Sequence, residues 1–258
     1  MAIHATALID LRAEISPEAE IGPYCIVGPG VAIGARTRLT AHVNLEGKLT
    51  IGEDNIFFPY CSCGATPQDK KYKGEPSETR IGNRNSIREF VTIHRGTEGG
   101  GMITSIGDDN LLMAYVHIAH DVLIHNQVII ANGVTFAGHV IVEDYANIGG
   151  LSAIHQFCRI GRHAMVGSYS VIKQNVLPFS ITASNHQVEV YGANRMGLER
   201  RGFSSEAIEP LQNAFRLLSR AGLNTTQALA RIEEEVPATA EVQELLEFIR
   251  TSQHGFIK

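Results

Sequence analysis

Residues 112–142 read LMAYVHIAHDVLIHNQVIIANGVTFAGHVIV. Leu112, Ile118, Ile124, Ile130, Phe136 and Val142 recur every sixth residue, and each is large and apolar. Four residues after each of the first five stands a valine: Val116, Val122, Val128, Val134 and Val140. This spacing fits neither the helical period of about 3.6 nor the strand period of about 2. It fits short flat strands separated by sharp corners, with two positions of each hexad turned inward.

The same register extends in both directions. Upstream it holds at Ile3, Ile9, Ile15, Ile21, Val27, Ile33, Leu39, Leu45, Ile51 and Phe57, and again at Ile81, Ile87 and Ile93. Downstream it runs through Ile148, Ile154, Ile160, Val166 and Ile172. Glycine often follows the anchor, as at Gly22, Gly34, Gly52, Gly82, Gly107, Gly149 and Gly161. Glycine at a corner permits backbone angles that other residues resist. Three such faces close one triangular coil of about 18 residues, and coils stack about 4.8 Å apart through main-chain hydrogen bonds. Each coil buries its apolar edge only against its neighbours, so the whole stack is one core. The expected fold is therefore mainly β: a parallel β-helix of hexapeptide repeats over residues 1–188.

Two stretches leave the register. The first, near 64–80, contains TPQDKKYKGEP; the second, near 97–105, contains EGGGM. Loops ejected from a regular scaffold tend to carry function. Beyond Pro178 the hexads stop, and residues 189–258 are expected to form a C-terminal α-helical domain. Ile208, Leu211, Phe215 and Leu218 have helical spacing, with Pro210 bending or delaying that helix and Gly222 ending it. A second helix is expected over Thr225–Glu235, stopped by Pro237. A third carries Val242, Leu245, Leu246 and Ile249.

Composition narrows the function. A net charge of −5 argues against a general nucleic-acid binder, which needs a basic excess. The start, MAIHATALIDLRAE, has no basic n-region and no long apolar run, so neither a signal peptide nor a membrane span is expected, and the location is cytoplasmic. Cys25, Cys61, Cys63 and Cys158 form no CxxC, and most should be buried free thiols.

Eleven histidines are present. The repeat places His120 two residues after anchor Ile118 and His139 three after anchor Phe136, one coil further on. Both then project from one edge of the prism. If the second loop displaces no strand, His94 joins the same row. Asp121 follows His120, and a carboxylate beside an imidazole fixes its tautomer and raises its basicity. Such a histidine can take a proton from a hydroxyl attacking an acyl carbon. In Ala137-Gly138-His139 the Gly138 backbone N–H is open to a developing oxyanion. No Ser or Cys pairs with a His in a nucleophile motif, which favours direct transfer. A metal reading stands beside this one. His120 and His125, five apart with a third His nearby, have the spacing of a three-histidine zinc site, as in the carbonic anhydrases built on this fold. His4, His42, His163, His186 and His254 lack such company and are expected to be structural or solvated.

At HIAHD, TIHRGT, AGHV, IHQFCRIG, KYKGEP and RRGFS the sequence resembles the UDP-N-acetylglucosamine 3-O-acyltransferases of lipid A biosynthesis. The resemblance covers nearly the whole chain. It implies a left-handed β-helix, a homotrimer with active sites between subunits, and no cofactor or metal. It implies transfer of a 3-hydroxyacyl group from acyl carrier protein to the 3-hydroxyl of the sugar, with His120 as general base, Asp121 orienting it and Gly138 as oxyanion donor. Asp69, Lys71, His94, His139, His155 and Gln156 fall on substrate-binding positions. Asn194 and Arg200 align near the diphosphate. Ser168 occupies the acyl-length ruler position, where long-chain relatives have Gly, so a shorter pocket is expected. Met196 stands where an acidic residue is common. Some relatives acylate the 3-amino sugar, and that acceptor remains open. Arg195, Arg200, Arg201, Arg216 and Arg220 make the tail locally basic, a candidate dock for an acidic carrier protein.

Overall fold

The structure is a computed structural model that describes residues 2–184, 187–219 and 222–258. Twenty-six short strands wind into three parallel sheets, which form the faces of a left-handed prism. The first sheet starts at Ala2–Ile3, the second at Leu8–Ile9 and the third at Glu14–Ile15. Register is one coil per step: Ile3 pairs with Ile21, Ile9 with Val27 and Ile15 with Ile33. The anchors and the residues four beyond them fill the interior, and Val43, Leu45, Phe57, Val116, Ile118, Val134 and Phe136 have no exposed surface.

The two ejected loops are shorter than the sequence suggests. Strands Ser62–Ala65 and Glu78–Ile81 leave only 66–77 outside the ladder, and strands Thr92–His94 and Ile103–Ile106 leave only 95–102. Beyond each loop the pairing resumes in register: Ile51 with Ile81, then Ile81 with Ile106. Both loops leave from the edge where the second sheet passes to the third.

The corners correct the expected role of glycine. The left-handed backbone conformation belongs to the third residue after the anchor, and mostly to large side chains there, including Tyr24, Arg36, Asp54, Tyr60, Phe90, Tyr115, Asp121, His139 and Phe157. Glycines directly after anchors answer to space instead. A Cβ on Gly34 would lie 2.5 Å from the Gly52 carbonyl oxygen, and one on Gly161 would lie 2.4 Å from the Pro178 nitrogen. The next coil passes too close for any side chain.

Corner residues from successive coils stack. Between the first and second sheets Tyr24, His42, Tyr60, Phe90 and Tyr115 form a continuous ring ladder with centroids 4.8–5.0 Å apart. Between the third and first sheets an ionic ladder joins Arg36 to Glu18, Glu53 and Asp54, and Arg84 to Asp108 and Asp109. Inside, Asn55, Asn85 and Asn110 form a buried column: Asn85 donates to Asn55 Oδ1 at 2.9 Å, and the Asn110 N–H donates to Asn85 Oδ1 at 2.9 Å. Their Nδ2 groups donate to the carbonyls of Gly82, Gly107 and His125, and Asn110 Oδ1 accepts from the Val128 N–H, so every amide is bonded and its burial is offset. All four cysteines are free and buried, and burial pushes the Cys61 thiol up to about 12.

The sheet runs past the expected domain boundary. Ser180–Ser184 extends the first sheet, and Val188–Ala193 pairs back on it antiparallel. Among the described residues four helices follow: α1 (Arg195–Arg200), α2 (Ser205–Leu218), α3 (Thr225–Glu235) and α4 (Ala240–Thr251). α1 has no counterpart in the sequence reading. Pro210 does not delay α2, which starts at once behind the Ser204 cap and buries the proline ring. α2 also ends at Leu218, before Gly222. α3 matches its expected span, opened by an Asn224–Gln227 capping box. Leu177, Phe179, Leu211, Phe215, Leu245 and Leu246 build a second core. Arg162 ties it to the prism, pairing with Glu244 at 2.6 Å. His186 and Arg220 lie outside the described residues.

Candidate active site

His120 and Asp121 end one corner of the second sheet. Asp121 has a left-handed φ of 60°, and its N–H donates to Thr104 Oγ1 at 2.8 Å. That turn brings its carboxylate to the Nδ1 edge of the His120 ring, at an Nδ1–Oδ2 distance of 2.7 Å. An ionised carboxylate selects the tautomer with hydrogen on Nδ1 and leaves Nε2 as an acceptor. Asp121 is buried, and its Oδ2 also accepts from Thr97 Oγ1 at 2.6 Å while Oδ1 accepts from the Thr97 N–H at 2.8 Å.

Gly138, one coil on, forms the floor beneath His120. A Cβ there would meet His120 Cε1 at 2.5 Å and Nε2 at 2.8 Å. The imidazole thus rests on bare backbone. His139 follows at a left-handed corner, and its ring meets His120 edge-on with centroids 5.1 Å apart. Its Nδ1 lies 3.8 Å from Asp121 Oδ2. Phe157 stacks on its other face at 4.6 Å. Burial lowers the pKa of His139, opposed by Asp121 and, more weakly, by Asp69.

His94 joins the row as expected, because the second loop leaves after its strand: Ile93 pairs with Ile118. The ring is buried, edge-on to His117 at 5.1 Å. Desolvation, with His117 and His120 adding to it, pushes its pKa down to about 4. His117, absent from the candidates drawn from sequence, bonds Thr92 Oγ1 at 2.7 Å. The signal was available, since it is the first His of HIAHD. His254 was placed apart from the site, yet its ring lies 5.8 Å from Phe157.

The first loop folds over this edge. Asp69 Oδ1 accepts from the Lys71 N–H at 2.9 Å, a short turn that presents both side chains together. Asp69, Lys71, Lys73, Thr97, His139 and Phe157 help line a cavity of about 530 Å³. His155 and Gln156 follow on the next coil of the same edge, both exposed.

Other candidates lie elsewhere on the prism. Ser168 is exposed at the corner of the first and second sheets, beside Tyr169. Asn194 caps α1 through Gly197 and donates to the His163 carbonyl at 3.0 Å. Arg200 is exposed on α1, and the adjacent Arg201 reaches Gln127 and Tyr145, at the corner of the third and first sheets. One chain therefore sets these three groups of residues on three different edges. His125, offered for a zinc site, is exposed on the next face. Among the described residues the group with metal-ligand spacing is His120, Asp121 and His139, whose ligand atoms lie within 4.8 Å of one another.

The family described as Udp N-acetylglucosamine O-acyltransferase, domain 2, matches residues 175–257, and the bacterial transferase hexapeptide family matches residues 103–138. The acyl-[acyl-carrier-protein]--UDP-N-acetylglucosamine O-acyltransferase of Thermodesulfovibrio yellowstonii is 51% identical over 256 residues, with 99% of each chain covered. The solved UDP-N-acetylglucosamine O-acyltransferase of Moraxella catarrhalis superposes with a TM-score of 0.95 at 42% identity, with all of both chains covered. The Arabidopsis UDP-N-acetylglucosamine acyltransferase superposes at 0.84 with 33% identity, covering 99% of this chain and all of that one. With this identity over its full length, a hexapeptide prism and the same helical tail, the chain belongs to the UDP-N-acetylglucosamine O-acyltransferase family.

Proposed function

We propose that this chain transfers a 3-hydroxyacyl group from acyl carrier protein to the 3-hydroxyl of UDP-N-acetylglucosamine, the first step of lipid A biosynthesis, with His120 as general base. One observation carries the assignment of the base: in a member of this family, the His120–Asp121 bond of 2.7 Å lies over glycine backbone, on the edge where both loops leave the prism. Nε2 accepts the proton of the sugar 3-hydroxyl as its oxygen attacks the thioester carbonyl. The tetrahedral oxyanion faces the Gly138 N–H. Collapse breaks the carbon–sulfur bond, and the imidazolium returns the proton to the departing thiolate.

Asp69, Lys71, His94, His139, His155 and Gln156 bind the nucleotide sugar in this reading. Asn194 and Arg200 reach the diphosphate from a neighbouring copy, because they sit on another edge of their own chain. A homotrimer with sites between subunits satisfies that geometry. Ser168 limits acyl length. Arg200 and Arg216, exposed on α1 and α2, contribute to a dock for the acidic carrier; Arg195 already pairs with Glu199 at 2.7 Å. No helix among the described residues is long and apolar enough to cross a membrane, and a cytoplasmic setting suits a soluble carrier.

The test is direct. Purified protein is incubated with UDP-N-acetylglucosamine, its 3-amino analogue, and 3-hydroxyacyl carriers of graded length, and products are read by mass. An ester on the native sugar is expected. Product only from the amino analogue would assign the N-acyl variant. No product from either sugar would overturn the reading.

A further inference from the structure

The second loop is moulded around Asp121. Thr97 precedes a 3-10 turn, Glu98–Gly100, where a threonine hydroxyl would ordinarily cap a free N–H of the turn. It makes no such cap. Its hydroxyl donates instead to Asp121 Oδ2 at 2.6 Å, and its own N–H donates to Oδ1 at 2.8 Å. Both residues are buried. Three residues further along, at the end of that single turn, the loop closes on the same carboxylate. A Cβ on Gly100 would stand 2.0 Å from Asp121 Cγ, and Gly100 has no left-handed φ to explain it. Gly101, in contrast, has a left-handed φ of 88°, and a Cβ built on it would meet nothing within 4 Å.

We propose that Thr97 is a positioning residue that acts through Asp121 on His120, with Gly100 giving the room for it. The proposal rests on His120 being the base. With Thr97 in place both carboxylate oxygens are fixed, and Oδ2 meets the His120 Nδ1–H in one orientation. Without the hydroxyl, the carboxylate loses a charge-assisted donor inside the protein and can turn about its Cβ–Cγ bond. The imidazole then loses its fixed tautomer and aim, although neither His120 nor Gly138 has changed.

Thr97→Val removes the hydroxyl at nearly constant volume, and Thr97→Ser retains it. The valine variant should lose about 10- to 100-fold in kcat, the scale known for deleting the hydrogen-bond partner that orients a metal-bound histidine. KM for UDP-N-acetylglucosamine should stay within about twofold, as for a loss confined to the transition state. The low-field Nδ1 proton resonance, identified by its absence in His120→Ala, should move upfield in the valine variant and return in the serine variant. Added to Asp121→Asn, Thr97→Val should cost nothing more, since both act on one bond. An unchanged kcat or an unmoved resonance would overturn the proposal, as would losses that multiply in the double variant. If Thr97→Val does not fold, Gly100→Ala decides: it must reproduce the fall in kcat and the moved resonance, or the proposal fails. A wild-type protein without acyl-transfer activity would sink the proposed reaction, whereas an unmoved resonance sinks this inference by itself.

Discussion

The His120 imidazole lies on the backbone of Gly138, so close that the hydrogen replaced by a Cβ would put carbon 2.5 Å from Cε1. The glycine is thus required by the ring above it, one coil away. Gly138→Ala should push the imidazole off its line to Asp121 and lower kcat by about the 10²-fold or more expected for His120→Ala. Melting temperature, read alongside turnover, should fall little in either variant. A fully active Gly138→Ala protein would mean that the ring is not held there.

Lys71 is exposed on the loop that roofs the cavity, and its ammonium has no carboxylate partner among the described residues. Lys71→Ala should raise KM for the sugar nucleotide several-fold and leave kcat nearly unchanged, the signature of lost ground-state binding. Steady-state kinetics over a range of nucleotide sugar decide it. An unaltered KM would remove this loop from the binding site.

Acid should destabilise the fold through two buried histidines. Desolvation holds both His94 and His163 at about 4 against an ordinary 6.5, and Arg162 and Arg201 beside His163 act in the same direction while Asp144 opposes them. The unfolded chain therefore takes up these protons first. Stability is complete above pH 6.5, falls between pH 6.5 and about 4, and loses nothing more from these groups below that. Each contributes on the order of 3 kcal/mol at most. His163→Phe keeps a ring between Tyr145 and Phe179, stacked at 4.6 and 5.8 Å, and should flatten the dependence of melting temperature on pH across that window. An identical slope in the variant would remove His163 from the effect.

Ser168→Gly should shift the preferred acyl chain to a longer one. The side chain is exposed in one chain, so the effect requires that this corner faces the acyl channel of a neighbouring copy. Competition among carriers of graded length, with products weighed, gives the answer. The same preference in both proteins would place the ruler elsewhere.

Exhaustive chelation should leave acyl transfer unchanged. His120 Nδ1 and Asp121 Oδ2 already bond each other at 2.7 Å, and a metal on this group would compete with that bond. Loss of activity on chelation, restored by zinc, would revive the metal reading.

The prism was legible because its signal is one-dimensional. Spacing alone placed Ile118, Phe136 and Ile154 on one face, and therefore set His120 and His139 on one edge. Contacts that depend on how an irregular segment folds back were not legible. Thr97 reaches Asp121 through a loop with no period, and Asn194 caps a six-residue helix that hydrophobic spacing cannot reveal. The glycine pattern was visible but its cause was not, because close approach of the next coil leaves the same letters as a left-handed corner. The column of Asn55, Asn85 and Asn110 was hidden for a related reason: a polar residue inside a core makes sense only when its partner one coil away is known.

The stacking register has a consequence for how such a chain can change length. Partners on one face stand 18 residues apart where the loops do not intervene, as Ile3 and Ile21 do. Deleting 19–36 would seat 37 and onward beneath the first turn with all inward side chains still inward. Deleting one residue fewer would turn the following anchors out to water. The rod's length is quantised, and its genetic drift in size must proceed by whole storeys or not at all.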